Sequence, residues 1–227
     1  VSNVPAYSTK TVAQFTMALL LEMCDHVGEH SRAVREGEWS SCIDFCFWKY
    51  PLVELAGKTF GIVGFGRIGQ EVAKIARAFG MEVVVYSHHE IPAERLSEGV
   101  SSVSLEELYH RADVISLHCP LTEETKGLIC EDSIAKMKDG VKIINTGRGP
   151  LIKEKDLSEA LKSGKVSGAA VDVADVEPIP ASAEYDHHTT YCLGSQGSQN
   201  QINGNLRTEF GGLCGRQPYS CGEMRKR

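Results

Sequence analysis

Positive charge is in short supply in this sequence. Lysine and arginine total 24 against 30 aspartates and glutamates, a formal net charge of −6. A surface of that sign repels a phosphate backbone, so no nucleic-acid partner is expected. Long apolar runs are also missing. The longest, from Met17 to Met23, falls far short of the roughly 20 residues that a membrane helix needs, so no membrane association is expected. No signal peptide is expected. Cysteine is plentiful at eight, yet no C-x-x-C pair occurs, and no metal site is expected. A disulfide scaffold is excluded by chain length, by an aliphatic core, and by Cys24, Cys119 and Cys130 falling in or beside apolar segments. Buried or incidental thiols in a reducing cytoplasm are the expectation. An initiator methionine is missing as well; the first residue is Val1, which suggests a fragment or a processed product.

What the chain does contain is ordinary for a soluble globular protein: 42% hydrophobic and 24% charged residues over 227 positions. Ser8 and Thr9 stand as N-caps before Val12, Phe15, Ala18, Leu19, Glu22 and Met23 at helical spacing. One long helix, apolar around much of its girth, is expected there, buried or packed on a partner. An irregular connection carrying Phe45, Phe47 and Trp48 follows.

From Lys58 the chain alternates strand and helix. "TFGIVG", "MEVVVYS", "DVISLHCP", "VKIINTG" and "VSGAAVDV" read as strands. "RIGQEVAKIARAFG", "SLEELYHRA", "EDSIAKMKDG" and "KEKDLSEALKSG" read as helices, closed by Gly80, Gly140 and Gly164 where a glycine follows. Ser104 with Glu107 forms a capping-box pattern. Short β-branched runs separated by helices imply a parallel sheet covered on both faces, a doubly wound α/β fold.

"GFGRIG" places Gly64, Gly66 and Gly69 in G-x-G-x-x-G spacing, after a strand and opening a helix. That context makes it a dinucleotide fingerprint. Gly64 permits the tight turn, Gly66 admits a pyrophosphate to the backbone, and Gly69 allows close helix–strand packing. The helix N-terminus, with Arg67 and Ile68, adds N–H groups and partial positive charge. The position after the next strand, which normally carries a ribose-binding acid, holds Ser87, followed by His88, His89 and Glu90. A serine there serves NAD, and the loss of a carboxylate that would repel a 2′-phosphate leaves NADP open.

"VPAYST…VAQFTMALLLE", "LAGKTFGIVGFGRIGQEVAKIARAFGM", "HCPLTEETKGLI", "INTGRGPLI" and "GAAVDV…EP" together resemble the D-isomer-specific 2-hydroxyacid dehydrogenases, over about Val1 to Pro180. The resemblance implies a Rossmann-like NAD(P)-binding domain at 58–180, preceded at 1–57 by an interdomain and dimer-arm helix with its connection. The substrate lobe is largely missing. Arg148 matches the arginine that holds the substrate carboxylate, as a guanidinium fork can. Glu177 matches the carboxylate that orients a catalytic histidine, and Asp172 the acid near the nicotinamide carboxamide. Cys119 and Pro120, with Thr146 and Gly147, match strand-end loops lining the cofactor. The implied reaction is hydride transfer between NAD(P)H and a small 2-oxo or D-2-hydroxy acid, with the glycerate and hydroxypyruvate type favoured. A homodimer is implied for the intact parent. The other class of reading is a non-catalytic NAD(H)-binding module of the related corepressor type.

The family's acid/base histidine sits in a "TPHI"-like loop, and none is written here. The segment 181–227 is irregular, rich in Gly, Ser, Gln and Asn. His187 and His188 are its only local candidates. A disordered tail and a divergent lobe are two readings of it, and the genetic code supplies a third. Read one base later, permitted codons for Asp186 to Ser195 give "IITPHIAWA". Continuing, the shifted text acquires helical apolar spacing, and Met224 followed by Arg225 can yield a stop. A frameshifted translation is the expectation, and the chain as written is expected to be weakly active or inactive.

Overall fold

The structure is a computed structural model that describes residues 8–175 and the backbone of 189–191. Two helices come first, α1 (Thr9–Asp25) and α2 (Val27–Arg35). The alternating unit then runs β1 (Thr59–Val63), α3 (Arg67–Ala78), β2 (Glu82–Tyr86), β3 (Val100–Ser102), α4 (Leu105–Arg111), β4 (Val114–Leu117) and α5 (Glu131–Ala135). It continues with β5 (Val141–Asn145), α6 (Glu154–Ser163), β6 (Val166–Val171) and β7 (Thr189–Tyr191). All strands pair in parallel, in the order β3-β2-β1-β4-β5-β6-β7.

The two-residue period of the strands divides the core. Phe60 and Ile62 of β1, Val83 and Val85 of β2, and Ile144 of β5 face Leu20 and Met17 of α1 and Val72 and Ala73 of α3. Val63, Val84, Ile115, Leu117 and Ile143 face the other way, onto Leu108 of α4 and Leu157 and Leu161 of α6. Both faces are therefore covered, as a parallel sheet requires. Each such buried aliphatic side chain contributes about 1.5–3 kcal/mol.

The amino-terminal edge of the sheet is tied by Asp113. Its carboxylate accepts from the Thr59 backbone N–H at 2.7 Å and from Lys138 Nζ at 2.9 Å. Burial alone would raise its pKa; the Thr59 N–H and the Lys138 ammonium outweigh it and hold the group below its usual value.

Several elements depart from the expected pattern. The first helix is not continuous: His26 takes a left-handed conformation (φ 48°) and divides α1 from α2. The Glu22 carboxylate accepts from the Gly28 N–H, and Tyr50 stacks on His26 at 4.8 Å, so side chains from both directions hold the break. The buried face of α1 keeps Leu19 and Met23 of the expected stripe and adds Ala13, Thr16, Met17, Leu20 and Cys24, while Ala18 is exposed. The "EDSIAKMKDG" helix ends at Ala135, because Met137 turns into the core and Lys165 Nζ takes its carbonyl at 2.6 Å. Half of the expected capping box forms. Ser104 Oγ accepts from Glu107 N, while the Glu107 carboxylate accepts from Arg111 instead.

Two strands lie where none was expected. β3 is a three-residue strand with only Val100 buried, too short to show a period. β7 falls in the segment read as irregular, beside β6. An open strand edge offers unpaired N–H and C=O groups, and Thr-Thr-Tyr suits a strand.

Candidate functional site

Parallel strands deliver their following loops to one edge, and nearly all the expected site residues arrive there. Gly64, Gly66, Arg67, Ile68 and Gly69 span the turn from β1 into α3; Ser87 follows β2. Cys119 and Pro120 follow β4, Thr146, Gly147 and Arg148 follow β5, and Asp172 follows β6. The strand order reverses between β1 and β4, and ligands of open α/β sheets bind at that switch point. Glu177 lies outside the described residues, as do His187 and His188.

The glycine turn is fixed from both sides. Gly64 N–H donates to the Tyr86 carbonyl at 2.8 Å, tying the turn to the end of β2. Gly64 has φ +98°, and a Cβ there would stand 2.5 Å from Cys119 N and 2.7 Å from the His118 carbonyl carbon. A Cβ on Gly69 would collide with the Gly64 carbonyl oxygen, so α3 sits tight on the turn. Gly66 differs: a Cβ there would meet nothing within 4 Å. It is exposed and caps α3 in an extended conformation. The space above Gly66, facing the free N–H groups of a twelve-residue helix, is a cradle into which a diphosphate fits.

The β5 loop is locked by a residue not anticipated from sequence. Asn145 is 1% exposed; its amide donates to the Arg148 carbonyl at 2.9 Å and accepts from Gly147 N–H at 3.0 Å. Its own carbonyl accepts from Asp172 N–H at 2.9 Å, joining the loops after β5 and β6. Gly149 completes that junction, since any side chain there would run into the Ala174 carbonyl. The Thr146 hydroxyl meets Thr16 Oγ1 of α1 at 3.2 Å. Arg148 is thereby held by its backbone while its side chain is exposed, with Nη1 donating to the Gly147 carbonyl at 2.7 Å. The sequence signal for Asn145 was a polar residue at the inner end of an apolar strand.

This lock carries a prediction. Asn145→Ala leaves the Gly147 N–H and the Arg148 carbonyl without their partner, and the expected loss is about 2 kcal/mol in urea unfolding. A loss under about 0.5 kcal/mol would show that water replaces the amide.

Two further groups line the β4 end. Cys119 is half-buried, and burial pushes its thiol pKa up. His118 bonds Ser116 Oγ through Nε2 at 2.9 Å, and burial pushes its pKa down to about 4. Its backbone, not its ring, lies against the glycine turn. On the rim, His88 Nδ1 stands 3.8 Å from a Glu124 carboxylate oxygen.

Sheet order, glycine turn and open helix terminus define a dinucleotide-binding α/β domain. The family described as "D-isomer specific 2-hydroxyacid dehydrogenase, NAD binding domain" matches residues 17–193. The chain belongs to this family.

A hydroxypyruvate reductase of Blautia hydrogenotrophica is 55% identical over 179 residues, covering 79% of this chain and 55% of that protein. A glyoxylate reductase structure from Paecilomyes thermophila superposes with TM-score 0.75 at 33% identity, over 92% of this chain and 64% of that one. A D-lactate dehydrogenase from Aquifex aeolicus, complexed with NAD and lactic acid, superposes with TM-score 0.66 at 37% identity, over 76% and 50% of the two chains. The chain thus spans about half the length of the curated relatives it matches. No helix among the described residues is long and apolar enough to cross a membrane.

Proposed function

We propose that this chain is the cofactor-binding portion of an NAD-dependent D-2-hydroxyacid dehydrogenase, whose intact parent interconverts a small 2-oxo acid and its D-2-hydroxy acid. The observation that carries the reading is the cradle: an unobstructed Gly66 before α3, between the ends of β1 and β4. The backbone N–H groups at Gly66 to Gly69 hold the diphosphate, and Ser87 bonds the ribose. Thr146, Gly147, Asp172, Cys119 and Pro120 line the nicotinamide end, and Arg148 presents its fork to the substrate carboxylate. When bound, the cofactor supplies or accepts the hydride. Similarity to a hydroxypyruvate reductase supports a substrate of the glycerate and hydroxypyruvate type.

Turnover also needs a general acid/base and the carboxylate that orients it, for which Glu177 is the candidate. The written frame lacks the histidine, and we assign it to the shifted frame beginning near Asp186. Reading the DNA from the Glu177 codon to the stop tests that assignment directly. Fluorescence titration with NADH tests the cofactor site in the chain as written, and absence of binding overturns the reading. In a frame-repaired protein, NADH oxidation by hydroxypyruvate is expected. Binding without turnover after repair would favour the corepressor-type module.

A homodimer through the segment after α1 accompanies this proposal. Val27, Ile43, Phe45, Trp48 and Leu52 are all more than half exposed there, a concentration of apolar surface that a second copy would cover. Light scattering behind a sizing column is expected to give twice the chain mass. An Ile43→Asp, Phe45→Asp variant is expected to run as monomer, and an unchanged dimer would move the interface elsewhere. Cys24, Cys42, Cys46, Cys119 and Cys130 are free thiols, which supports a cytoplasmic setting.

A further inference from the structure

We propose that Glu124, on the loop after β4, is the acid that makes this chain select NAD over its 2′-phosphorylated form. The inference rests on the cofactor reading above and assigns a selectivity determinant within it. In a Rossmann domain the adenosine ribose lies at the carboxyl end of the second strand, where an acid accepts from the hydroxyls and repels a 2′-phosphate. Here that place holds Ser87, half-buried and neutral.

The missing charge arrives from another loop. Glu124 Oε2 stands 3.8 Å from His88 Nδ1, one residue beyond Ser87, so a carboxylate overhangs the end of β2 from the β4 side. Its backbone is held in place. Thr125 Oγ1 accepts from Thr122 N–H at 2.7 Å and donates to the Pro120 carbonyl at 2.7 Å. Lys126 N–H donates to the Thr122 carbonyl at 2.9 Å. The turn therefore fixes Glu124 relative to Pro120, which begins at the strand end. His89 packs edge-on against His88 at 5.1 Å. Glu90 follows on the same loop, so the rim carries two acidic residues.

Glu124 is 78% exposed, so its replacement leaves the core untouched. The test is fluorescence titration of the full chain with NADH and with NADPH. Wild type is expected to favour NADH about tenfold or more, the scale of one unfavourable charge contact. Glu124→Gln is expected to shrink that ratio at least fivefold, mainly by tightening NADPH. Adding Ser87→Asp to Glu124→Gln is expected to restore the preference, because the charge returns to its usual strand. Selectivity unchanged within twofold in Glu124→Gln, or a wild type that binds both equally, overturns the proposal. A wild type that binds neither dinucleotide overturns the cofactor reading itself, and the selectivity proposal falls with it.

Discussion

Replacing Gly64 by alanine is expected to abolish NADH binding and to lower the melting temperature by roughly 10 °C. Two costs add. The backbone at φ +98° strains any residue with a side chain by about 1–3 kcal/mol. The new methyl also meets Cys119 N at 2.5 Å, so the turn or the β4 loop must move. Together they amount to about 3 kcal/mol, and 1 kcal/mol shifts the midpoint of a domain this size by about 2–4 °C. Gly66→Ala isolates the ligand part of this effect. Its backbone is extended, at φ −76° and ψ −164°, and its Cβ would meet nothing within 4 Å, so folding is unaffected. That variant is expected to melt within about 2 °C of wild type and to bind NADH more than tenfold more weakly, because the methyl fills the diphosphate space. Normal binding by Gly66→Ala would place the diphosphate elsewhere.

Acid is expected to weaken the fold through His118 well before the carboxylates titrate. Its ordinary value near 6.5 falls to about 4 in the folded chain, because burial disfavours the charged ring. Above pH 6.5 both folded and unfolded forms are neutral, and stability is complete. Between pH 6.5 and 4 the unfolded chain binds a proton that the folded chain refuses, so stability falls as pH falls. Below pH 4 the loss levels off. At about 1.4 kcal/mol per pH unit the fold loses about 2 kcal/mol by pH 5. His118→Asn keeps a hydrogen-bonding partner for Ser116 without a titration. Urea unfolding of the variant is expected to show a flatter profile between pH 7 and 5 than wild type. Identical slopes would assign the acid loss to other groups.

Most of the sheet could be read from sequence because β1, β2, β4, β5 and β6 are short aliphatic runs bounded by glycine, proline or polar turns. Their loops carried the glycine turn, Ser87, Cys119, Pro120, Thr146 to Arg148 and Asp172 to one edge, since a parallel sheet permits no other arrangement. Features made by contact between distant segments stayed hidden. β3 buries only Val100, so no period marks it. The break at His26 depends on Tyr50, twenty-four residues further on. Asn145 reads as the polar end of a strand until its three bonds to two loops are seen. Glu124 looks like one more exposed acid until β2 places His88 against it. Glu177 lies outside the described residues, and the acid/base histidine proposed above comes only from reading the shifted frame.

The two edges of the sheet differ in a way that matters for anyone instrumenting this protein. Asp113 clamps one edge from Thr59 to Lys138, while the opposite edge gathers the glycine turn and Arg148. Asp139 is exposed just before β5, and Thr146 follows its last residue. A dye or a surface tether at position 139 therefore sits roughly 20 Å from the cofactor loops, somewhat more than the length of a five-residue strand. That separation suits a distance reporter: the label leaves the cradle open while remaining within range of energy transfer from bound NADH.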